Sequence, residues 1–220
     1  MSLSPSEIPL GAMRFNSDSQ KLEYWDGSQW VQVHTFSPNL NGGARGVFGG
    51  GFASPSNQNV IDYINISSTG NAQDFGDLTY STNGLASLAS NTRGVFAGGA
   101  TPGLSTQIDF ITISSTGNAT DFNADLPSVT GDTAGCSNST RGLIGGGLTP
   151  GVSNVINYIT ISSTGLVADF GDLTVARSYF SACASSTRGV WGGGYAFSAP
   201  NFSNIIDYVT ISSTGHAQDF

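Results

Sequence analysis

Among the 220 residues the acidic side chains recur in pairs, Asp74 with Asp77, Asp121 with Asp125, and Asp169 with Asp172. Carboxylates at that separation could serve hydrolysis or hold calcium. Because the pairs come back with each copy of a longer repeat, capping of a shared turn is the simpler assignment. Four arginines recur too, Arg45, Arg93, Arg141 and Arg188. A ring of guanidiniums could bind an anion, but one per repeat is expected to build a ladder of structural hydrogen bonds. His34 and His216 are the only imidazoles. His216 stands where other copies carry Asn71, Asn118 and Leu166, the place of a solvated turn residue. No Cys/His cluster has metal-ligand spacing, so neither a metal nor a cofactor nor a catalytic group is expected. Cys136 and Cys183 each lie five residues before a repeat arginine, where Leu40 and Leu88 stand in other copies. Both are therefore expected to be buried free thiols.

These residues belong to a unit that fills almost everything after residue 40. Arg45–Gly51 (Arg-Gly-Val-Phe-Gly-Gly-Gly) returns at Arg93–Gly99, Arg141–Gly147 and Arg188–Gly194, spaced by 48, 48 and 47 residues. A second phrase runs Ile61–Gly70, Ile108–Gly117, Ile156–Gly165 and Ile206–Gly215, and a third closes each unit with Asp-Phe at 74, 121, 169 and 219. The β-branched and aromatic stretches, with no 3.6-residue apolar stripe, predict four short strands per unit. Ser-Ser-Thr-Gly after the third strand predicts a tight turn into the fourth. The glycines that end the second strand lead into no helix and lack the Gly-Lys-Ser/Thr of a phosphate loop, so close backbone approach or a bulge is expected there.

Units of this length with a glycine doublet after the second strand resemble kelch-type repeats. The resemblance covers residues 40–220. It is carried by the Gly-Gly element, the third-strand aromatics Tyr63, Phe110, Tyr158 and Tyr208, and the fourth-strand Phe75, Phe122, Phe170 and Phe220. Phenylalanine stands where the kelch fourth-strand tryptophan usually does. The implied fold is an all-β, four-bladed kelch-like β-propeller, or a partial one completed by other copies, with blades at about 40–78, 79–126, 127–173 and 174–220. Closure within one chain is the favoured expectation.

Residues 10–33 do not repeat and predict a three-stranded meander, with Asp26-Gly27 as a hairpin turn. Gly11, Arg14, Phe15, Asn16, Glu23, Tyr24, Asp26, Gly27 and Trp30 resemble a short module of bacteriophage structural proteins, tail fibres especially. The division expected is a module over 1–35, a linker over 36–44 and four repeats over 45–220. So short a meander has little core of its own. Phe15, Tyr24, Trp25 and Trp30 are therefore assigned to attachment or self-association, a trimer being one arrangement.

Function is expected where the copies differ, because loops on a repeating scaffold are free to vary. The longest such loop, Tyr195–Asn204, holds Tyr195, Phe197, Asn201 and Phe202, suited to stacking on a receptor sugar or protein surface. A net charge of −8 with only seven scattered cations opposes nucleic-acid binding. No apolar run is long enough for a membrane helix, and the N-terminus lacks secretory-signal features. With the two resemblances, the expectation is a non-enzymatic bacteriophage virion protein, made in the host cytoplasm and exposed on the particle. Its partners are then other virion proteins and a host-surface glycan or protein. A head or neck decoration is the first alternative, and a cellular glycan-binding lectin or propeller enzyme the second.

Overall fold

The computed structural model describes residues 8–16, 21–33, 45–197 and 201–220. The expected linker over 36–44, together with His34 and Leu40, lies outside the described residues. Among the described residues every regular element is a β-strand and every pairing is antiparallel. The chain divides into two compact units, Met1–Asn39 and Leu40–Phe220.

In the first unit β1 (Met13–Asn16), β2 (Lys21–Trp25) and β3 (Trp30–Gln32) form a meander, with Arg14 opposite Glu23 and Trp25 opposite Trp30. Asp26 builds the β2–β3 turn: its Oδ1 accepts the amides of Ser28 and Gln29, each at 2.8 Å. Alternation along the strands divides the side chains between two faces. One carries a closed network in which Glu23 accepts from Arg14 Nε at 2.8 Å and Asn16 Nδ2 at 3.0 Å, and the Arg14 guanidinium lies 4.3 Å from the Trp30 ring centre. Those hydrogen bonds, Asn16 first and Arg14 second, hold the Glu23 carboxyl below its ordinary value. The opposite face presents Met13, Phe15, Leu22 and Tyr24 to solvent.

The second unit is four sheets in chain order. The first contains β4 (Arg45–Gly49), β5 (Phe52–Ala53), β6 (Ser56–Asn65) and β7 (Gln73–Thr82), with β6 central. The second contains β8 (Ala86–Ala89) and β9 (Arg93–Ala97); after a small hairpin, β10 (Ala100–Thr101) with β11 (Gly103–Leu104), come β12 (Ile108–Thr112) and β13 (Thr120–Asp121). The third is β14 (Ala134–Ser137), β15 (Arg141–Leu148), β16 (Val152–Thr160) and β17 (Val167–Asp172). The fourth is β18 (Ser181–Ala184), β19 (Arg188–Gly192), β20 (Ile206–Thr210) and β21 (Gln218–Asp219).

The repeat phrase is two-faced because a strand turns successive side chains to opposite sides. Its Arg-x-Val-x-Gly positions face the following sheet, and its Gly-x-Phe positions face the preceding one. Phe96 of β9 lies against Gly49 of β4, where an added Cβ would come within 2.8 Å of its ring, and Trp191 of β19 lies against Gly145 of β15 in the same way. The apolar core consequently forms between sheets. Ile61, Phe75, Leu78, Phe96 and Ile111 fill the first layer, Leu88, Val95, Phe122, Ile144 and Ile161 the second, and Cys136, Leu143, Phe170, Trp191 and Ile211 the third.

Polar links follow the same path. Arg45, Arg93 and Arg141 each donate from Nη1 to a carbonyl of the next sheet, Ile113 at 2.7 Å, Ile161 at 3.1 Å and Ile211 at 2.8 Å. Each guanidinium also lies over the third-strand aromatic of its own sheet, at 4.3 to 4.6 Å from the ring centre. The Ser-Ser-Thr-Gly turn closes its own hairpin and also reaches back. Gly117 donates to Phe75 O at 2.7 Å, Gly165 to Phe122 O at 3.0 Å and Gly215 to Phe170 O at 2.8 Å.

The glycines that end the second strand sit between two crossover segments, the stretches around Thr82 and Thr130 that lead from one sheet to the next, which leave no room for side chains. A Cβ on Gly98 would stand 2.4 Å from Thr130 O, and one on Gly99 would stand 2.2 Å from the Thr82 hydroxyl. Both glycines have positive φ, 71° and 99°, so space and backbone geometry demand the same residue.

Closure of the first sheet on the fourth is not found among the described residues. Phe48 is 59% exposed where its counterpart Phe96 is 3% exposed, and Ile66 is 67% exposed where Ile161 and Ile211 are fully buried. The same opening corrects the expectation of two buried thiols. Cys136 is buried against the fourth sheet, whereas Cys183, in the same slot one repeat later, is exposed.

Candidate functional site

The loop that follows β19 brings three of its aromatic rings together. Tyr195 stands edge-on to Phe197 at 5.3 Å and to Phe202 at 5.7 Å between ring centres. The backbone explains the cluster: Tyr195 exchanges both hydrogen bonds with Ser178, at 2.7 and 2.9 Å, and forms a bridge to Phe202. Ala196 N donates to Asn201 O at 2.9 Å and Ser203 N to Gly194 O at 2.9 Å, which fixes the base of the loop. Tyr195 is half-buried, while Phe197 (61%) and Phe202 (80%) project into solvent beside an exposed Asn201. An apolar ring pair with an adjacent amide can stack on a flat partner and hydrogen-bond its rim.

Beneath this surface lies a buried ion pair, Arg177 Nη2 to Asp207 Oδ2 at 2.8 Å, both side chains fully inaccessible. Arg177 occupies the crossover position held by Thr82 and Thr130 in earlier repeats; the amides of Gly51, Gly99 and Gly147 donate to the carbonyls of Thr82, Thr130 and Arg177 respectively. It further donates to Ile205 O at 3.3 Å and Trp191 O at 3.4 Å, tying the loop's two strands to the crossover. The sequence signal for it was one cation where the other copies carry threonine.

Tyr179 is a second residue that sequence reasoning missed. It is exposed, next to Ser178, and has φ of 54°, a conformation uncommon for a bulky side chain. Gly84 and Asp132 take the same left-handed conformation at the corresponding crossover positions, with φ of 61° and 48°. A hydrogen bond to the Asp132 carboxylate, reinforced by its charge, holds the Tyr179 phenol above its ordinary value. Tyr179 thus adds a fourth aromatic to this region, oriented by the preceding repeat.

The expected carboxylate pairs do not form a common device. Asp121 caps its turn by accepting from Asn123 N at 2.7 Å, and Asp172 meets His216 Nδ1 at 3.3 Å, but Asp74, Asp77, Asp125 and Asp169 make no side-chain hydrogen bond among the described residues. The carboxylates that do structural work are Asp109 and Asp207. Each grips the crossover entering its sheet, Asp109 through Thr79 N at 2.7 Å and its hydroxyl at 2.7 Å, Asp207 through Thr174. In the third repeat both partners change together, to Pro127 and Asn157. Proline offers neither donor, so a carboxylate there would be left without its grip.

His216 has an exposed side chain, yet its Nδ1 accepts from Asp172 N at 3.2 Å, just as Asn118 Oδ1 accepts from Asp77 N at 3.1 Å two junctions earlier. Three of the four repeat arginines are engaged at sheet junctions, which accounts for them without an anion. Of the leader aromatics, Phe15 and Tyr24 lie exposed on one face, whereas Trp25 is buried and meets Trp30 at 5.6 Å on the other. No group of three or more His, Cys, Asp or Glu side chains among the described residues is placed to hold a metal ion.

The described residues also form surface grooves. One of about 760 Å³ runs under the first repeat's turn and is lined by Arg45, Tyr63, Asn65, Asn71 and Gln73. Another of about 610 Å³ lies in the third repeat beside Pro127, Val129 and Pro150. Neither lining includes a carboxylate, an imidazole or a thiol. Comparison with protein-family models gives no match, and comparison with curated proteins gives none either.

Proposed function

We propose that the chain is a non-enzymatic component of a bacteriophage particle, in its tail-fibre or adhesion apparatus, and that its fourth repeat presents the Tyr195–Phe202 surface to a host receptor. In this reading the four sheets are blades of a kelch-like β-propeller, complete or partial, and the leader is the attachment module. The observation that carries the binding role is the cluster of exposed Phe197 and Phe202 about the half-buried Tyr195, on a base fixed by hydrogen bonds and a buried ion pair. Exposed rings on an ordered base bind with little further loss of conformational freedom. The exposed Phe15 and Tyr24 supply the leader with an apolar face for a virion partner.

Labelled protein is expected to bind whole host cells, and the double variant Tyr195→Ala/Phe202→Ala to lose that binding while keeping its melting temperature within a few degrees. Equal binding by the variant would remove the loop from the receptor role. Purified particles should contain the polypeptide, and its absence from them would remove the virion assignment altogether.

A further inference from the structure

The two end faces of the sheet stack are complementary halves of the junction that the chain already builds three times internally. Each internal junction has a leading half and a trailing half. The leading half offers a repeat arginine, a small residue at the Gly49 position and, at the second and third junctions, the Leu88 or Cys136 side chain. The trailing half offers an isoleucine carbonyl, a bulky knob at the Phe96 position and the glycine of Arg-Gly. At the third junction all the contacts are visible together. Arg141 donates to Ile211 O at 2.8 Å, Trp191 covers Gly145, and an added Cβ on Gly189 would stand 2.7 Å from Cys136 Sγ.

The fourth sheet carries a leading half with nothing on it. Arg188 lies over Tyr208 at 4.5 Å but has no carbonyl acceptor among the described residues, Cys183 is exposed, and Gly192 meets only Ile206 of its own sheet. Ile206 is 45% exposed and Phe220 72%, where the corresponding Ile61 and Phe75 are buried. The first sheet carries the matching trailing half. Phe48 and Ile66 are exposed, where the corresponding Phe96 and Ile161 are buried.

We infer that the free leading face of the fourth sheet, Cys183, Arg188, Gly192 and Phe220, receives the free trailing face of the first sheet, Gly46, Phe48 and Ile66, of a second copy of this chain. The occupant follows from the internal junctions, in which the same residue types at the same positions are the ones that fit. Phe48 would then cover Gly192, Arg188 would donate to the Ile66 carbonyl, and Cys183 would lie against Gly46. Such a head-to-tail contact uses two different surfaces, so it propagates from copy to copy, into a ring where the rotation closes and into an open filament where it does not.

Light scattering on the purified 220-residue chain tests this directly. The expected mass is at least twice the 22.7 kDa of one chain, falling toward one chain in Phe48→Asp and in Gly192→Trp, each with at least about tenfold weaker association. Phe48 is exposed, and a side chain added at the half-buried Gly192 would meet nothing nearer than Ile206 at 3.9 Å, so an unchanged melting temperature at low concentration separates lost docking from lost folding. A mass of one chain at every concentration, or an assembly indifferent to both substitutions, overturns the inference. Gly46→Cys gives a second, geometric readout in mixed isotope-labelled protein under mild oxidation. Disulfides joining Cys183 to position 46 of a different copy, abolished by Cys183→Ser, are expected. The same bond found within single chains would mean that the stack closes on itself and would equally overturn the inference.

Discussion

At the scale of single residues, the neighbouring sheet decides what a side chain can do. Cys136 and Cys183 hold the same repeat position, but only Cys136 is covered, and burial pushes its thiol up to about 12. A buried thiol that stays protonated reacts slowly. A thiol reagent applied to native, dilute protein should therefore modify Cys183 alone, and Cys136 only after denaturation; rapid modification of both would contradict the covered slot. Asp109 shows the electrostatic side of the same effect. Burial raises its carboxyl above the ordinary range, against the lowering hydrogen bonds from Thr79. The folded state then binds its proton more tightly than the unfolded state, so this contribution is complete below about pH 3.9, the unfolded value, and is lost as pH rises through the folded one. Asp109→Asn, which copies the residue present at Asn157, should remove that dependence. Melting temperatures of both proteins from pH 3.5 to 7 should shift in favour of the variant as pH rises, and parallel curves would exclude the ionisation.

At the scale of elements, the second strand of each inner repeat joins its sheet to a neighbour on both of its faces, and that of an end repeat on one. Phe96 and Phe48 occupy the same position in that strand, yet one fills the groove above Gly49 and the other faces water. Phe96→Ala should cost about 3–5 kcal/mol through lost burial and a residual cavity. Phe48→Ala should cost within about 0.5 kcal/mol, as surface substitutions do. Denaturant titration of unassociated protein measures both, and similar losses would refute the inter-sheet placement of the core. The leader obeys the same alternation: its Arg14–Glu23–Trp30 face is internally satisfied, which leaves Met13, Phe15, Leu22 and Tyr24 as its exposed apolar face.

At the scale of the whole molecule, the sheets themselves were legible in the sequence because each copy of Arg-Gly-Val-Phe-Gly-Gly-Gly carries strand, bulge and turn information locally. Their junctions were not. A turn that closes its own hairpin and also donates to Phe75 O or Phe170 O looks like any turn, since the acceptor lies one whole repeat away. Asp109 and Asp207 were overlooked for the same reason, and Asp74 and Asp169 overvalued: recurrence marks a shared position, while burial depends on what the adjacent sheet brings to it. The Tyr195, Phe197 and Phe202 cluster was readable as composition, but its fixed base depends on Arg177 and on the Ser178 pairing, neither of which the loop itself encodes.

The placement of the apolar layers between sheets has a mechanical consequence. Four sheets share three layers, so an end sheet is held on one side only and an inner sheet on both. Pulled between residues 45 and 220, the stack should fail from its ends in discrete events, each releasing one repeat of 48 or 47 residues, roughly 160 Å of extended chain. A force-extension record with that spacing would count layers. A single rupture of the full length would mean that the sheets yield together.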